Sequence, residues 1–196
     1  FELLKKIQNS FRYQAEEKGI FLNSFIKPQV PRFLVGDPLR LNQIIINLVG
    51  NAIKFTEKGQ VSIHVKPVSI NGSGKINLKF EISDTGIGID EEKLNKIFER
   101  FTQADTDVTR KYGGTGLGLS ISKLLIEKQG GNIKVKSKAG KGTTFTFNIT
   151  YQKGDKIEAA LVTNHTKQDL KGFTVLLAED NKVNQIVARR FWKTGG

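Results

Sequence analysis

Asn47-Leu48-Val49-Gly50-Asn51-Ala52-Ile53-Lys54 decides the fold of this chain. Wound at about 100° per residue, this segment and the turns before it place Arg40, Gln43, Asn47, Asn51 and Lys54 on one narrow polar arc. Leu41, Ile45, Leu48, Ala52 and Phe55 fall on the other side. Asp37-Pro38 opens the helix, with Asp as N-cap and Pro at the first helical position. Solvated helix faces favour Glu and Lys over paired Asn, so the two amides read as a functional stripe. Amide oxygens one turn apart, with a lysine beside them, suit an Mg²⁺ that keeps several waters and is held mainly through phosphate oxygens.

Upstream, Leu3, Leu4, Ile7, Phe11 and Ala15 repeat with a helical period, and Gly19 closes a helix over residues 1–18. Ile20 to Ile26 is a strand candidate, and Pro28 and Pro31 punctuate the loop after it. Downstream, the runs Val61 to Ser69 and Ile76 to Ser83 flank Asn71-Gly72-Ser73-Gly74, the signature of an antiparallel hairpin. A short helix follows near Glu91 to Phe98, then a polar stretch, Thr102 to Tyr112, with few apolar anchors. The pattern predicts a further helix over Leu117 to Gln129, ended by Gly130-Gly131, and strands over Ile133 to Ser137 and Thr143 to Tyr151. Together these make an α/β pair of layers.

Asp84 stands at the end of the second hairpin strand, where its carboxylate can accept from the exocyclic amine of adenine and would repel the carbonyl of guanine. Gly86 and Gly88 let the backbone pass close to a base with no Cβ in the way. Gly113-Gly114-Thr115-Gly116-Leu117-Gly118 leads directly into a helix, where unpaired N–H groups and the positive dipole end favour phosphate. It is neither a Walker loop, lacking Gly-Lys-Ser/Thr, nor a dinucleotide fingerprint, lacking a parallel-sheet strand before it. The polar stretch 102–112 reads as a lid, hinged on Ile97-Phe98-Glu99-Arg100-Phe101, with Arg110 and Lys111 placed to neutralise a terminal phosphate on closure. Alone, each signature is common; jointly they describe a purine nucleoside triphosphate site.

The 196 residues, 38% hydrophobic, suffice for one ordinary domain with a real core plus part of another. Lys+Arg 31 against Asp+Glu 19 leaves a net charge of +12, compatible with an acidic partner. The charge is dispersed, however: Lys134, Lys136, Lys138 and Lys141 alternate with small and apolar residues, as on the solvated face of a strand. The aromatics are mostly Phe at core periodicity, which argues against nucleic acid. The absence of cysteine excludes a disulfide framework and a familiar zinc site and fits a reducing cytoplasm. No apolar run approaches membrane-spanning length, and no signal-peptide layout appears, so no membrane contact is expected. The start at Phe1 and the end at Thr194-Gly195-Gly196 read as a piece of something longer.

In order and spacing, residues 1–151 resemble the catalytic, ATP-binding domain of sensor histidine kinases. Asn47 to Thr56 resembles the N box of that family, Asp84 to Ile89 its first glycine box and Ile97 to Phe101 its F box. Gly114 to Ser120 resembles the second glycine box and Gly140 to Phe145 the third. The resemblance implies an α/β (α+β) two-layer sandwich of the Bergerat type, a mixed sheet with helices on one face, holding ATP and Mg²⁺ between the N-box helix and the lid. Carried over by position, it implies Asn47 and Asn51 on the magnesium side, Lys54 as a phosphate contact and Asp84 as the adenine reader. It also implies Gly86, Gly88, Gly114, Gly116, Leu117 and Gly118 in the nucleotide cradle, and Thr143 as a support near the base. Where family members sometimes have a basic residue just after the F box, this chain has Gln103, so neutralising the γ-phosphate falls to Lys54, Arg110 or Lys111.

From Gln152 to Lys171 the sequence turns polar and reads as a linker. Beyond it, residues 172–196 resemble the opening of a response-regulator receiver domain, with a strand at Thr174 to Ala178 and Glu179 and Asp180 resembling its acidic metal pair. The resemblance implies a hybrid histidine kinase as parent, represented here by an N-terminal helix (1–18), the ATP domain (19–151), the linker and a truncated receiver βα unit. The expected partners are the receiver and the histidine-bearing dimerisation domain of the same parent. His64 in a strand and His165 in the linker read as structural, so the chain is expected to bind ATP·Mg²⁺ without phosphorylating itself. Two other readings compete: an ATP-hydrolysing clamp similar to gyrase, Hsp90 or mismatch-repair ATPases, and a basic nucleic-acid-binding module. The first needs a glutamate where this chain has Asn47, and an amide is not a general base.

Overall fold

The computed structural model describes residues 2–70, 74–99 and 116–154, with Leu176, Ala178 and 184–186 beyond them. The chain divides into two compact units, Phe1–Lys156 and Ile157–Gly196.

Helix α1 spans Glu2–Glu17 and ends as its glycine predicts: Gly19 takes φ +65° and donates its N–H to Glu16 O at 3.0 Å. Strand β1 (Ile20–Ile26) follows, then a two-residue strand β2 (Leu34–Val35). Helix α2 (Pro38–Phe55) starts at Asp37, whose carboxylate accepts from Leu39 N and Arg40 N at 3.0 and 3.1 Å. Strands β3 (Gly59–Ile70) and β4 (Lys75–Asp84) form the antiparallel hairpin. A short helix α3 (Glu91–Leu94), helix α4 (Gly118–Glu127) and strands β5 (Asn132–Lys138) and β6 (Gly142–Lys153) complete the first unit.

The six strands form one mixed sheet in the order β1-β3-β4-β6, and both β5 and β2 pair with the far edge of β6. β1 and β3 run parallel, connected through α2, and every other pairing is antiparallel. β6 is long enough for two partners: β5 takes Gly142 to Asn148, and β2 takes Gln152 and Lys153. Pro67 sits in β3 beside a register shift and beyond Val65, where the β1 pairing ends, so its missing N–H costs no ladder bond to β1.

Alternation along the strands gives the sheet one apolar face. Val61, Ile63 and Val65, Ile76 to Ile82 at every second position, and Phe145 to Tyr151 at every second position are buried. Against them lie Leu4, Ile7 and Ala15 of α1, Ile44, Ile45, Leu48, Val49, Ala52 and Ile53 of α2, and Ile126 of α4, in one continuous core. Each fully buried Leu or Ile contributes about 1.5–3 kcal/mol, so α2 is the helix the core holds hardest. Phe80 and Phe147 stack at 4.7 Å in its centre. The opposite face is polar, with Glu81 paired to Lys66 at 2.8 Å and to Lys79 at 3.3 Å. His64 stacks there on exposed Phe25 at 4.8 Å. All three larger helices share the core face, which gives the two-layer α/β architecture that the sequence predicts.

Three local expectations change. β2 forms where only a proline-punctuated loop was expected, because its pairing with the end of β6 is a long-range contact that two residues cannot signal. α3 is one turn rather than a helix reaching Phe98. β6 continues through Gln152 and Lys153, two residues past the point where the sequence turns polar, because β4 and β2 give it backbone partners on both sides. In the second unit, Leu176 and Ala178 lie outside any strand and 184–186 are helical. Glu179 and Asp180 lie outside the described residues, as do the lid stretch 102–112, Arg110, Lys111, Gly113, Gly114, Phe101, Gln103, His165 and the 71–73 turn.

Candidate functional site

The site gathers where β4, the end of α2, the start of α4 and the β5–β6 turn meet. Asp84 is the last residue of β4. Its Oδ1 accepts the Gly86 N–H at 2.9 Å and the Thr143 N–H at 3.2 Å. Its Oδ2 accepts nothing among the described residues. Burial pushes the carboxyl above its ordinary value, and the two backbone donors pull part of the way back. The group is thus fixed by one oxygen with the other left to take a donor.

The backbone around Asp84 is packed so closely that side chains are excluded. A Cβ on Gly86 would lie 2.3 Å from Phe55 O, and one on Gly142, which has φ +93°, would lie 2.0 Å from Asp84 O. Gly88, at φ +71°, leaves only 2.1 Å between a Cβ and Lys138 O. Ile87 N–H donates to Phe55 O at 3.1 Å and Gly140 N–H to Ile87 O at 2.7 Å. The 85–89 turn is therefore stitched to the end of α2 on one side and to the β5–β6 turn on the other.

Asn47 and Asn51 lie half-buried one turn apart on α2, as the helical arc predicts. Asn47 Nδ2 donates to Ser122 Oγ of α4 at 2.8 Å. A Cβ on Gly118 would lie 2.2 Å from Asn47 Oδ1, so glycine lets the start of α4 close onto the amide. The first turn of α4 has no side-chain cap from Leu117, and Gly116 before it takes φ +69°. Lys54 stands a turn beyond Asn51, its Nζ 4.9 Å from the Phe55 ring centre, and partial burial holds its pKa below the usual lysine range. Arg40, on the same arc, is paired with Asp37 at 3.0 Å at the other end of the helix.

Asp84, Gly86, Gly88 and Thr143 thus form one group, and Asn47, Leu117 and Gly118 another, joined through α2. Phe98 packs edge-on against Phe145 at 6.3 Å between ring centres, and Ile97 beside it is buried.

Sequence reasoning missed four contributors. Ser122 is 1% exposed and stands one turn before Ile126 on the buried face of α4, a polar residue in an apolar stripe that signals a bound partner. Ser137 Oγ accepts Ile89 N–H at 2.8 Å and donates to Gly142 O at 2.9 Å, tying the first glycine turn to the third. Thr85 Oγ1 accepts Gln60 N–H at 3.0 Å. Lys18 reaches the far end of α2 from the α1–β1 corner.

A carboxylate oxygen with no partner among the described residues suits an exocyclic amine, and the glycines beside it are required by backbone packing, Gly86 against Phe55 and Gly88 against Lys138, rather than by clearance for a base. The N-terminus of α4, which no described side chain caps, suits phosphate. With Asn47 Nδ2 engaged by Ser122, its Oδ1 is the atom left for a metal, beside the amide of Asn51. Two neutral amide oxygens fit an Mg²⁺ that takes its remaining ligands from phosphate and water.

Comparison with known proteins agrees with the geometry. Residues 36–153 match the family described as "Histidine kinase-, DNA gyrase B-, and HSP90-like ATPase". The chain is 42% identical over 195 residues to the autoinducer 2 sensor kinase/phosphatase LuxQ of Vibrio vulnificus, covering 97% of this chain and 22% of that protein. It is 39% identical over 178 residues to the signal transduction histidine-protein kinase BarA of Escherichia coli, covering 91% of this chain and 19% of that protein. It thus spans about a fifth of the length of these relatives. Among solved structures, full-length ShkA in complex with AMPPNP superposes with a TM-score of 0.65 at 33% identity, over 78% of this chain and 30% of that one. The chain belongs to the histidine kinase-, DNA gyrase B- and HSP90-like ATPase family, as a catalytic domain of the sensor histidine kinase kind.

Proposed function

We propose that this chain binds ATP·Mg²⁺ and donates the γ-phosphate to a histidine on a dimerisation domain of the same parent protein, a hybrid kinase that also carries a receiver. In this reading Asp84 Oδ2 accepts the N6 amine of adenine, and Gly86 and Gly88 let the turn beside the base close onto the backbone at Phe55 and Lys138. Thr143 holds Asp84 through its backbone N–H. Gly116, Leu117 and Gly118, with Gly114 before them, present the N-terminus of α4 to the phosphates. Mg²⁺ would be held by Asn47 and Asn51 and would supply charge neutralisation across the phosphates. Lys54, Arg110 and Lys111 are the cations assigned to the γ-phosphate. Glu179 and Asp180 are assigned to a second Mg²⁺ in the receiver, and the chain acts on the cytoplasmic side.

The observation that carries this reading is the carboxylate of Asp84, pinned at one oxygen by two backbone donors and, among the described residues, without a partner at the other. Transfer is favoured over hydrolysis because Asn47, held by Ser122, offers an amide where a hydrolysing clamp needs a carboxylate base. Calorimetric titration with ATP·Mg²⁺ tests it. Asp84→Asn replaces the charged acceptor and should weaken binding about 10- to 100-fold, the worth of a hydrogen bond to a charged group. Equal affinity in wild type and variant would defeat the assignment.

A further inference from the structure

The last carbonyls of a helix have no intrahelical donor and must find partners elsewhere. At the end of α2 one side chain takes three of them. Lys18 Nζ donates to Ile53 O at 2.8 Å, Lys54 O at 3.0 Å and Thr56 O at 3.3 Å, from a point 35 to 38 residues earlier in the chain. An ammonium has three protons, and here each has an acceptor. Its charge also lies at the negative end of the helix dipole.

The carbonyl that Lys18 leaves is Phe55 O, and that one accepts Ile87 N–H at 3.1 Å. It is also the atom that a Cβ on Gly86 would strike. One turn of backbone, residues 53–56, is therefore gripped by Lys18 from one side and by the glycine turn after Asp84 from the other. The helix above that turn bears Asn47 and Asn51, the turn itself bears Lys54, and the loop below it begins at Asp84. The position of this turn sets the separation between the carboxylate end and the amide end of the site. Thr56 reinforces it by donating Oγ1 to Ala52 O at 2.7 Å while fully buried.

We infer that Lys18 is a positioning residue of the nucleotide site: by fixing the C-terminal turn of α2 it registers the Asp84–Gly88 turn against the Asn47–Asn51 stripe. It touches no substrate and acts through Phe55 O and Ile87 N. The inference rests on reading this site as the ATP site. Lys18→Met keeps the aliphatic stem and removes all three donors, whereas Lys18→Arg keeps the charge in a planar fork that cannot converge on three carbonyls.

Amide hydrogen exchange and ATP·Mg²⁺ titration, run together on wild type and variants, test it. In Lys18→Met the Ile87 amide should exchange at least about 10-fold faster while the mid-strand Ile63 amide stays protected, and Kd for ATP·Mg²⁺ should rise about 10-fold. Lys18→Arg should fall between wild type and Lys18→Met on both measures. If Lys18→Met fails to fold, Lys18→Gln, which keeps two donors, is read by the same criteria. Wild-type exchange at Ile87 with unchanged Kd would overturn the inference, as would equal acceleration at Ile63 and Ile87, which marks general loosening. If wild type itself binds no ATP·Mg²⁺, the nucleotide reading fails, and the exchange of Ile87 against Ile63 still reports whether Lys18 registers the turn.

Discussion

Asn47 Nδ2 lies 2.8 Å from Ser122 Oγ, joining residues 75 apart in sequence across the line where α2 meets α4. The bond fixes which way the amide faces, and so, in the proposed site, which of its atoms meets the metal. Ser122→Ala removes the acceptor without adding bulk. ATP·Mg²⁺ binding should weaken by about 3- to 10-fold, the worth of one hydrogen bond, and titration in EDTA should show little difference from wild type. An equal loss with and without Mg²⁺ would place Asn47 away from the metal.

Gly118 permits that approach. With a Cβ only 2.2 Å from Asn47 Oδ1, Gly118→Ala must turn the amide or push α4 away. Kd for ATP·Mg²⁺ should rise about 10-fold, and denaturant unfolding should show a cost of about 1–3 kcal/mol from overpacking. An alanine variant with wild-type affinity would mean that the contact between the two helices has no part in binding.

The raised pKa of Asp84 makes stability and affinity move in opposite directions with pH. Burial, the larger cause, lifts the folded value above the ordinary 3.8, and the Gly86 and Thr143 N–H groups offset only part of it. Between the unfolded and folded values the native chain holds a proton the unfolded chain has lost. This group therefore adds stability as pH falls through that window and subtracts it above. With Asp84 as the adenine acceptor, as proposed, ATP binding should weaken over the same window as the carboxylate is protonated. Thermal melts and titrations from pH 7 downward should show both trends in wild type, and Asp84→Asn should lack both contributions. Parallel trends would contradict the role given to the carboxylate.

In the proposed site, Asn47→Glu puts a potential base beside the phosphates. Slow ATP hydrolysis above the wild-type rate is expected in a coupled assay; an unchanged rate would count against placing Asn47 near the γ-phosphate.

Much of this was legible from local chemistry. Asp37-Pro38 declared the start of α2, Gly19 the end of α1, and the alternation of β3 and β4 their hairpin, because each signal acts within a few residues. The arc of Asn47, Asn51 and Lys54 followed from helical geometry alone. What escaped depends on distant chain. Two residues of β2 become a strand only because Gln152 and Lys153 of β6 lie alongside. Lys18 and Ser122 gain their partners on α2 only when the fold brings them there across 35 and 75 residues of chain. The turn after Asp84 was readable as Asp-x-Gly-x-Gly, but not that Thr143, 59 residues on, would donate to the same oxygen as Gly86.

The most direct test of the account is a crystal structure with AMPPNP and Mg²⁺ bound. The adenine N6 should lie within about 3 Å of Asp84 Oδ2, with the phosphates at the N-terminus of α4 and Mg²⁺ against the amide oxygens of Asn47 and Asn51. A nucleotide bound with its base elsewhere, and Asp84 Oδ2 left facing solvent, would contradict it.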